Sequence, residues 1–135
     1  MRICVLVKQV PDHEAVVRVG EGGALEIEDR YVTSFFDEIA VEQAIQLAEA
    51  SGGSVIAVSA GGGRNVDALR RALAMGAGEA VMVDDPALES ADGLGLARAL
   101  AACLRTLEPD LVLAGRVGLD DEMGLVGPAV AELLG

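Results

Sequence analysis

The residues of this chain with the types and spacing for chemistry gather in its last quarter. Asp110-Leu-Val-Leu-Ala-Gly115 is followed by Arg116-Val-Gly-Leu-Asp120-Asp-Glu-Met-Gly124 and then by Leu125-Val-Gly-Pro-Ala-Val-Ala-Glu-Leu-Leu134. The order reads as a buried strand, a glycine-containing loop and the start of a helix. Free backbone N–H groups collect at such a helix start, and the helix dipole favours an anion there. The chemistry this suits is holding a phosphate, so nucleotide binding is the first reading. Asp120, Asp121 and Glu122 lie beside the same helix start and have two readings. They cap the dipole, or they point away from a phosphate and meet ribose hydroxyls.

Other reactive residue types carry weaker readings. Gly61-Gly-Gly63, between a strand and a helix, could approach a phosphate or ribose closely, or it is a plain strand-to-helix turn. It is not a Walker motif and lacks the dinucleotide Gly-x-Gly-x-x-Gly spacing. Lys8 follows the first strand and either neutralises a phosphate or is a solvated strand-end lysine. His13 is the single histidine; it has no Ser or Cys nucleophile near it and reads as an exposed loop residue. Asp84-Asp85 precedes Pro86, an ordinary turn rather than a metal pair. Cys4 and Cys103 lie in apolar segments without a second Cys or a His at metal-ligand spacing, and read as reduced, buried thiols. Nothing assembles a nucleophile, a base and an orienting group.

The elements that must position these residues alternate. Arg2 to Lys8 is a continuous apolar run bounded by charge, as in a strand buried on both faces. Val16 to Val19 and Ala24 to Ile27 flank Gly20-Glu-Gly-Gly23 and predict a small hairpin excursion. Asp37 to Ala50 is a predicted helix with Ser34 or Asp37 as its cap and Ser51-Gly-Gly53 as its stop. Ser54 to Ser59, Glu79 to Val83 and Leu111 to Ala114 are further core strands. They alternate with helices over about Asn65 to Met75, Ala91 to Leu107 and the stretch out to Leu134. The expected fold is therefore α/β, a Rossmann-like doubly wound parallel sheet with right-handed crossovers and a small β-hairpin after strand 1. Ligands of such sheets bind beyond the carboxyl ends of the strands, at the switch point. Three loops should gather there: Lys8 to Asp12, Ala60 to Arg64 and Gly115 to Gly124.

Length and charge narrow the function. At 135 residues the chain is long enough for one domain with its own core. About half of it is apolar, 52%, with only 2% aromatic residues, which suits tight helix-on-sheet packing. A net charge of −12 with scattered Lys and Arg argues against nucleic acid, which needs clustered cations. No apolar run approaches the roughly 20 residues of a membrane span. Met1-Arg2 leads straight into a strand, so a cytoplasmic location is expected. Four core strands leave edges to cover, as would suit part of a longer polypeptide.

Several strings together resemble the beta subunit of electron transfer flavoproteins, the family that includes the FixA proteins. They are Val5-Leu-Val-Lys-Gln-Val-Pro-Asp12, Asp37-Glu-Ile-Ala-Val-Glu-Gln-Ala44, Arg71-Ala-Leu-Ala-Met-Gly-Ala77, and Asp110-Leu-Val-Leu-Ala-Gly115 followed by Asp120-Asp121. The resemblance covers what looks like the amino-terminal half of the family's subunit. It implies a fold related to adenine-nucleotide hydrolases and universal stress proteins. It also implies a heterodimer with an alpha subunit that holds most contacts to the electron-carrying FAD, and, through that complex, acyl-CoA or other dehydrogenases as partners. The beta subunit itself buries an adenine nucleotide, usually AMP. By position the AMP contacts fall on Leu6, on Ser34, Phe35, Phe36 and Asp37, on Ala60, and on Arg116 to Gly127. The last stretch includes Asp120, Asp121, Gly124, Leu125, Val126 and Gly127; Lys8 joins the site on the physical reading. Where the family often has Asn-Pro this chain has Ser34-Phe35, and where it often has Asn-Gln-Thr-Gly this chain has Gly124-Leu-Val-Gly127. Those changes leave backbone donors for a phosphate. Val126-Gly-Pro128 is more similar to electron-bifurcating members, in which a second FAD replaces AMP.

The resemblance thus implies an electron carrier subunit rather than an enzyme. Three other readings stand beside it. One is a stand-alone AMP- or ATP-binding module like a universal stress protein. Another is an adenine-nucleotide hydrolase or transferase using Asp120 or Asp121. The third is a scaffold that binds no ligand and pairs with another chain.

Overall fold

The computed structural model describes residues 1–135. The central sheet holds β1 (Arg2–Leu6), β6 (Ser54–Gly61), β7 (Glu79–Asp84) and β8 (Leu111–Ala114). All three pairings are parallel, in the order β7-β6-β1-β8. The helices that alternate with these strands are α1 (Phe35–Ser51), α2 (Val66–Met75), α3 (Gly93–Leu107) and α4 (Val126–Leu134). This is the expected doubly wound α/β arrangement. No helix is long and apolar enough to cross a membrane.

The period of two along a strand builds both layers. Ile3, Val5 and Val7 face one side of the sheet and pack with Val55 and Ala57 against Ala40, Val41 and Ala44 of α1 and Ala68, Leu69 and Ala72 of α2. Cys4 and Leu6 face the other side and pack with Ile56 and Val58 against Ala97, Leu100 and Leu104 of α3 and Val130 of α4. Small residues on the helix faces, chiefly Ala, let the helices lie close on the strands. β1 is central and its residues from Ile3 to Leu6 are buried.

The excursion after β1 is more elaborate than the sequence predicts. The hairpin is present, with β3 (Val17–Val19) antiparallel to β4 (Leu25–Ile27). Its turn places Gly22 at φ 74° and Gly23 at φ 81°, a backbone region that glycine enters without steric penalty. The hairpin stands on a second antiparallel pair, β2 (Gln9–Pro11) with β5 (Tyr31–Thr33). The predicted strand Arg2–Lys8 therefore divides. The Val7 N–H still joins the main ladder through Val58 O at 3.0 Å, but the Lys8 N–H turns away to Asp37 Oδ2 at 3.0 Å.

Helix starts also differ from the expected ones. α1 begins at Phe35, because the Ser34 carbonyl already accepts from the N–H groups of Asp37 and Glu38 at 3.0 and 3.1 Å. Neither Ser34 nor Asp37 caps it through a side chain. It ends as expected at Gly52, in the left-handed region at φ 66°. α3 begins at Gly93 rather than Ala91, after a short 3-10 turn over Pro86–Ser90, with Asp92 Oδ1 accepting from the Gly95 N–H at 2.7 Å.

Candidate functional site

In the order β7-β6-β1-β8 the chain winds outward from β1 to β7 and then crosses back through α3 to β8, on the other side of β1. The connections after β1 and β8 therefore diverge, and a crevice opens beyond their carboxyl ends. A cavity of about 420 Å³ lies there, a size found for small-molecule sites. Leu6 and Lys8 line it from the end of β1, Ala60 from β6, and Asp37 from the first turn of α1. Arg116, Asp121, Gly124, Leu125, Val126 and Gly127 line it from the loop after β8 and the start of α4. The sequence thus names residues that the fold brings to one cavity from four separate elements.

Its acidic groups are each engaged locally. Asp37 is 8% exposed. Burial pushes its carboxyl up to about 6, against the lowering effects chiefly of the Lys8 N–H and the Lys8 charge. Gly115 has to be glycine beside this carboxyl: a Cβ there would strike Asp37 Oδ1 and come within 2.9 Å of Phe36 C and Asp37 N. Asp120 is paired with Lys8, whose Nζ lies 2.9 and 3.0 Å from the two carboxylate oxygens. Asp121 Oδ1 accepts from the Met123 N–H at 3.1 Å. Asp92 caps α3.

The cationic and donor groups are less engaged. Arg116 lines the cavity and forms no ion pair. The N–H groups of Gly124 and Leu125 donate to no protein acceptor, and α4 has no side-chain cap. Those of Val126 and Gly127 begin a helix, where no intrahelical acceptor precedes them. Pro128, in the same first turn, has no N–H to satisfy. The helix start therefore offers a row of free donors to the cavity.

Several expected features sit elsewhere. Phe35 is exposed and Phe36 half-buried, their rings edge-to-face at 5.5 Å, and neither lines the cavity. Ser34 is wholly buried and does not line the cavity, and its Oγ has no partner of hydrogen-bonding geometry. Asp120 does not line the cavity and is linked to it through Lys8. Gly61 to Arg64 turn away from the crevice: only Ala60 of that loop lines it, and Arg64 instead stacks 3.7 Å over the Tyr31 ring and pairs with Asp29. Lys8 is not a free strand-end lysine.

His13 is exposed and lies 3.3 Å from Asp12. Asp85 serves the expected turn, accepting from the Ala87 N–H at 2.9 Å. Both cysteines are free thiols, Cys4 buried as expected and Cys103 only half-buried. No group of His, Cys, Asp and Glu side chains has a metal-binding arrangement.

Sequence reasoning missed the far wall. Asp92, Gly93, Leu94, Leu96 and Leu100 close the cavity opposite β1. The available signal was the crossover itself, since a doubly wound sheet sends the helix before β8 across the face of β1 and β6.

Comparison with known proteins agrees with this architecture. The electron transfer flavoprotein domain, as a family, matches residues 24–135. The chain is 38% identical over 136 residues to the electron transfer flavoprotein subunit beta of Syntrophomonas wolfei, covering 100% of this chain and 53% of that protein. It is 36% identical over 135 residues to the protein of the same name in Bacillus subtilis, covering 99% and 52%. Against that of Clostridium acetobutylicum it is 39% identical over 137 residues, covering 100% and 52%. The chain therefore spans about half the length of the curated relatives it matches. With a match over most of its length and a fold that fits it, the chain belongs to the electron transfer flavoprotein family, among the beta subunits.

Proposed function

We propose that this chain is the nucleotide-holding part of an electron transfer flavoprotein beta subunit. It binds an adenine nucleotide at the switch-point cavity and pairs with an alpha subunit to relay electrons through FAD. The observation that carries this reading is the junction of an apolar crevice with the uncapped start of α4, beside Arg116.

The residues present fit such a ligand. Leu6, Val58, Leu96 and Leu100 supply apolar surface suited to a flat base. Asp37 and Asp121 supply carboxylate acceptors suited to ribose hydroxyls. The donors at Gly124 to Gly127, with the Arg116 guanidinium, suit a phosphate. The apolar side chains of Leu125 and Val126 carry no hydrogen-bonding group, so backbone would do that work. AMP is the expected ligand, and FAD in a bifurcating type. The flavin supplies the redox chemistry when it is bound; the chain's own residues orient and desolvate. In this reading Asp120 holds Lys8 and Asp121 holds its own loop.

Denaturing the purified chain and identifying released small molecules by chromatography with mass detection tests the nucleotide. AMP or FAD in near-stoichiometric yield supports the reading. An empty chain that also fails to bind added AMP or FAD overturns it. Co-purification with an alpha subunit tests the partner. A homodimer that binds ATP and ignores the alpha subunit would instead favour a universal-stress-protein-like module.

A further inference from the structure

We infer that Lys8 is a positioning residue: by gripping Asp120 it holds the 116–124 loop over the end of β1, and it does not serve as a ligand for the phosphate. This rests on the nucleotide reading of the same cavity.

Three observations carry it. The first is connectivity. Within the loop, the Glu122 N–H donates to Gly118 O at 3.0 Å and the Met123 N–H to Asp121 Oδ1 at 3.1 Å. Both bonds are internal. The link from Lys8 to Asp120 is the hydrogen-bonded tie between this loop and another element. The second is geometry. Nζ meets both carboxylate oxygens almost equally, at 2.9 and 3.0 Å, with side-chain exposures of 36% and 29%. Contact with both oxygens at once fixes where the carboxylate of this largely exposed pair sits, with the modest strength of a surface ion pair. The third is the packing of the lysine on Gly118. A Cβ at Gly118 would lie 2.5 Å from Lys8 Nζ and 2.6 Å from Cε, and would strike Asp120 Oδ1 as well. The side chain is laid flat along the loop backbone, its charge committed to Asp120.

The loop also needs a restraint. Glu122 sits at φ 52°, a left-handed conformation that a non-glycine residue holds only when its surroundings enforce it. Downstream of it lie the free donors of Gly124 and Leu125 that face the cavity. Releasing Asp120 would let the turn relax and scatter those donors. Arg116, which has no carboxylate partner, remains the cation for the ligand.

The two roles for Lys8 diverge under substitution. AMP titration by calorimetry and hydrogen–deuterium exchange of residues 117–125 without ligand are measured on Lys8→Met, Asp120→Asn, the double variant, Gly118→Ala and the reversed pair Lys8→Asp with Asp120→Lys. Thermal melts confirm that each is folded, and Lys8→Arg serves as a conservative rescue. For a positioning lysine, Lys8→Met and Asp120→Asn each weaken AMP binding by about two- to fivefold, and the double variant is no worse than either alone, as expected for one shared interaction. Gly118→Ala behaves like them although it changes no charge. The reversed pair recovers most of the loss. All the weakened variants exchange faster over the loop.

If Lys8 instead binds the phosphate, Asp120→Asn leaves AMP binding intact or tightens it, and the reversed pair loses it; that pattern overturns the inference. Should the unaltered chain bind no AMP, the nucleotide reading fails. Exchange then decides alone: unchanged loop protection in Lys8→Met and Asp120→Asn rejects the tether.

Discussion

Replacing Asp37 by Asn separates the charge of a buried carboxyl from its hydrogen bonds. The unfolded chain holds this group near 3.8, whereas burial in the fold pushes it up to about 6. Between those values the folded state binds the proton more readily than the unfolded state, so stability falls as pH rises. The contribution is fully present below about pH 4 and is lost as pH passes through about 6. A gap of about 2 pH units, at about 1.4 kcal/mol each, makes the fold on the order of 3 kcal/mol less stable at pH 7 than below about pH 4 through this one group. The Asn variant keeps an oxygen for the Lys8 N–H but turns an amino group toward the Gly115 N–H, a loss of about 1–2 kcal/mol at every pH. The sharp observable is therefore the pH dependence of the difference between the two proteins. Urea unfolding at a series of pH values gives it, provided both share one slope against urea. The net charge of −12 makes the whole chain respond to acid, but that response is common to both proteins and cancels in the difference. The variant should gain on the wild type by roughly 2–3 kcal/mol between about pH 4 and pH 7. A difference that stays flat, or that moves toward Asp as pH rises, would refute the argument that burial outweighs hydrogen bonding at this carboxyl.

Other perturbations probe the same frame. Gly115→Ala forces a methyl against the backbone of Phe36 and Asp37; a loss of about 1–3 kcal/mol is expected from such overpacking, and an unchanged urea midpoint would contradict it. Leu104→Ala empties a fully buried position between α3 and the sheet and should destabilise by about 2–5 kcal/mol, a drop that calorimetric melting would either find or exclude. Burial pushes the Cys4 thiol up to about 11, so a disulfide reagent at about pH 8 should leave it unlabelled until the chain unfolds. Two rapidly labelled thiols in the native protein would show that β1 is less enclosed than its packing implies.

The parts of this fold that were legible in the sequence are those where local pattern and tertiary role coincide. Ile3 to Val7 is apolar at every position because β1 is buried on both faces, and an uninterrupted run is what that environment leaves behind. Gly20 to Gly23 announces its turn through residues that enter the left-handed region freely. The β2–β5 pair had no such signature. Gln9–Pro11 and Tyr31–Thr33 are three residues each and one contains proline. They meet because Ser34 N–H reaches Lys8 O and Asp12 N–H reaches Arg30 O, each at 2.9 Å. The start of α1 was misplaced for a related reason: the Ser34 carbonyl begins the helix while its hydroxyl lies idle, so cap propensity pointed to the right region and the wrong atom. At the site, glycine spacing and the strand-to-helix order located the loop after β8. The partner of Lys8 lies 112 residues away, and no periodicity reports a pairing at that range.

The distribution of charge around the cavity then explains how an acidic chain could still present a place for an anion. Counting formal charges near the crevice would forbid it, since Asp37, Asp92, Asp120 and Asp121 outnumber Lys8 and Arg116. Their hydrogen bonds change the balance. Asp92 is spent on the Gly95 N–H, Asp121 on the Met123 N–H, and Asp120 on Lys8. Asp37 accepts from the Lys8 N–H, and burial pushes its carboxyl up to about 6. Each carboxylate has its charge turned toward a local donor, whereas the start of α4 and the Arg116 guanidinium have no acceptor of their own. A potential summed over such a site is set by the groups left unsatisfied as much as by net charge. That is also why apolar Leu125 and Val126 are compatible with the first turn of α4: the donors there belong to the backbone, and the side chains need only keep water from competing for them.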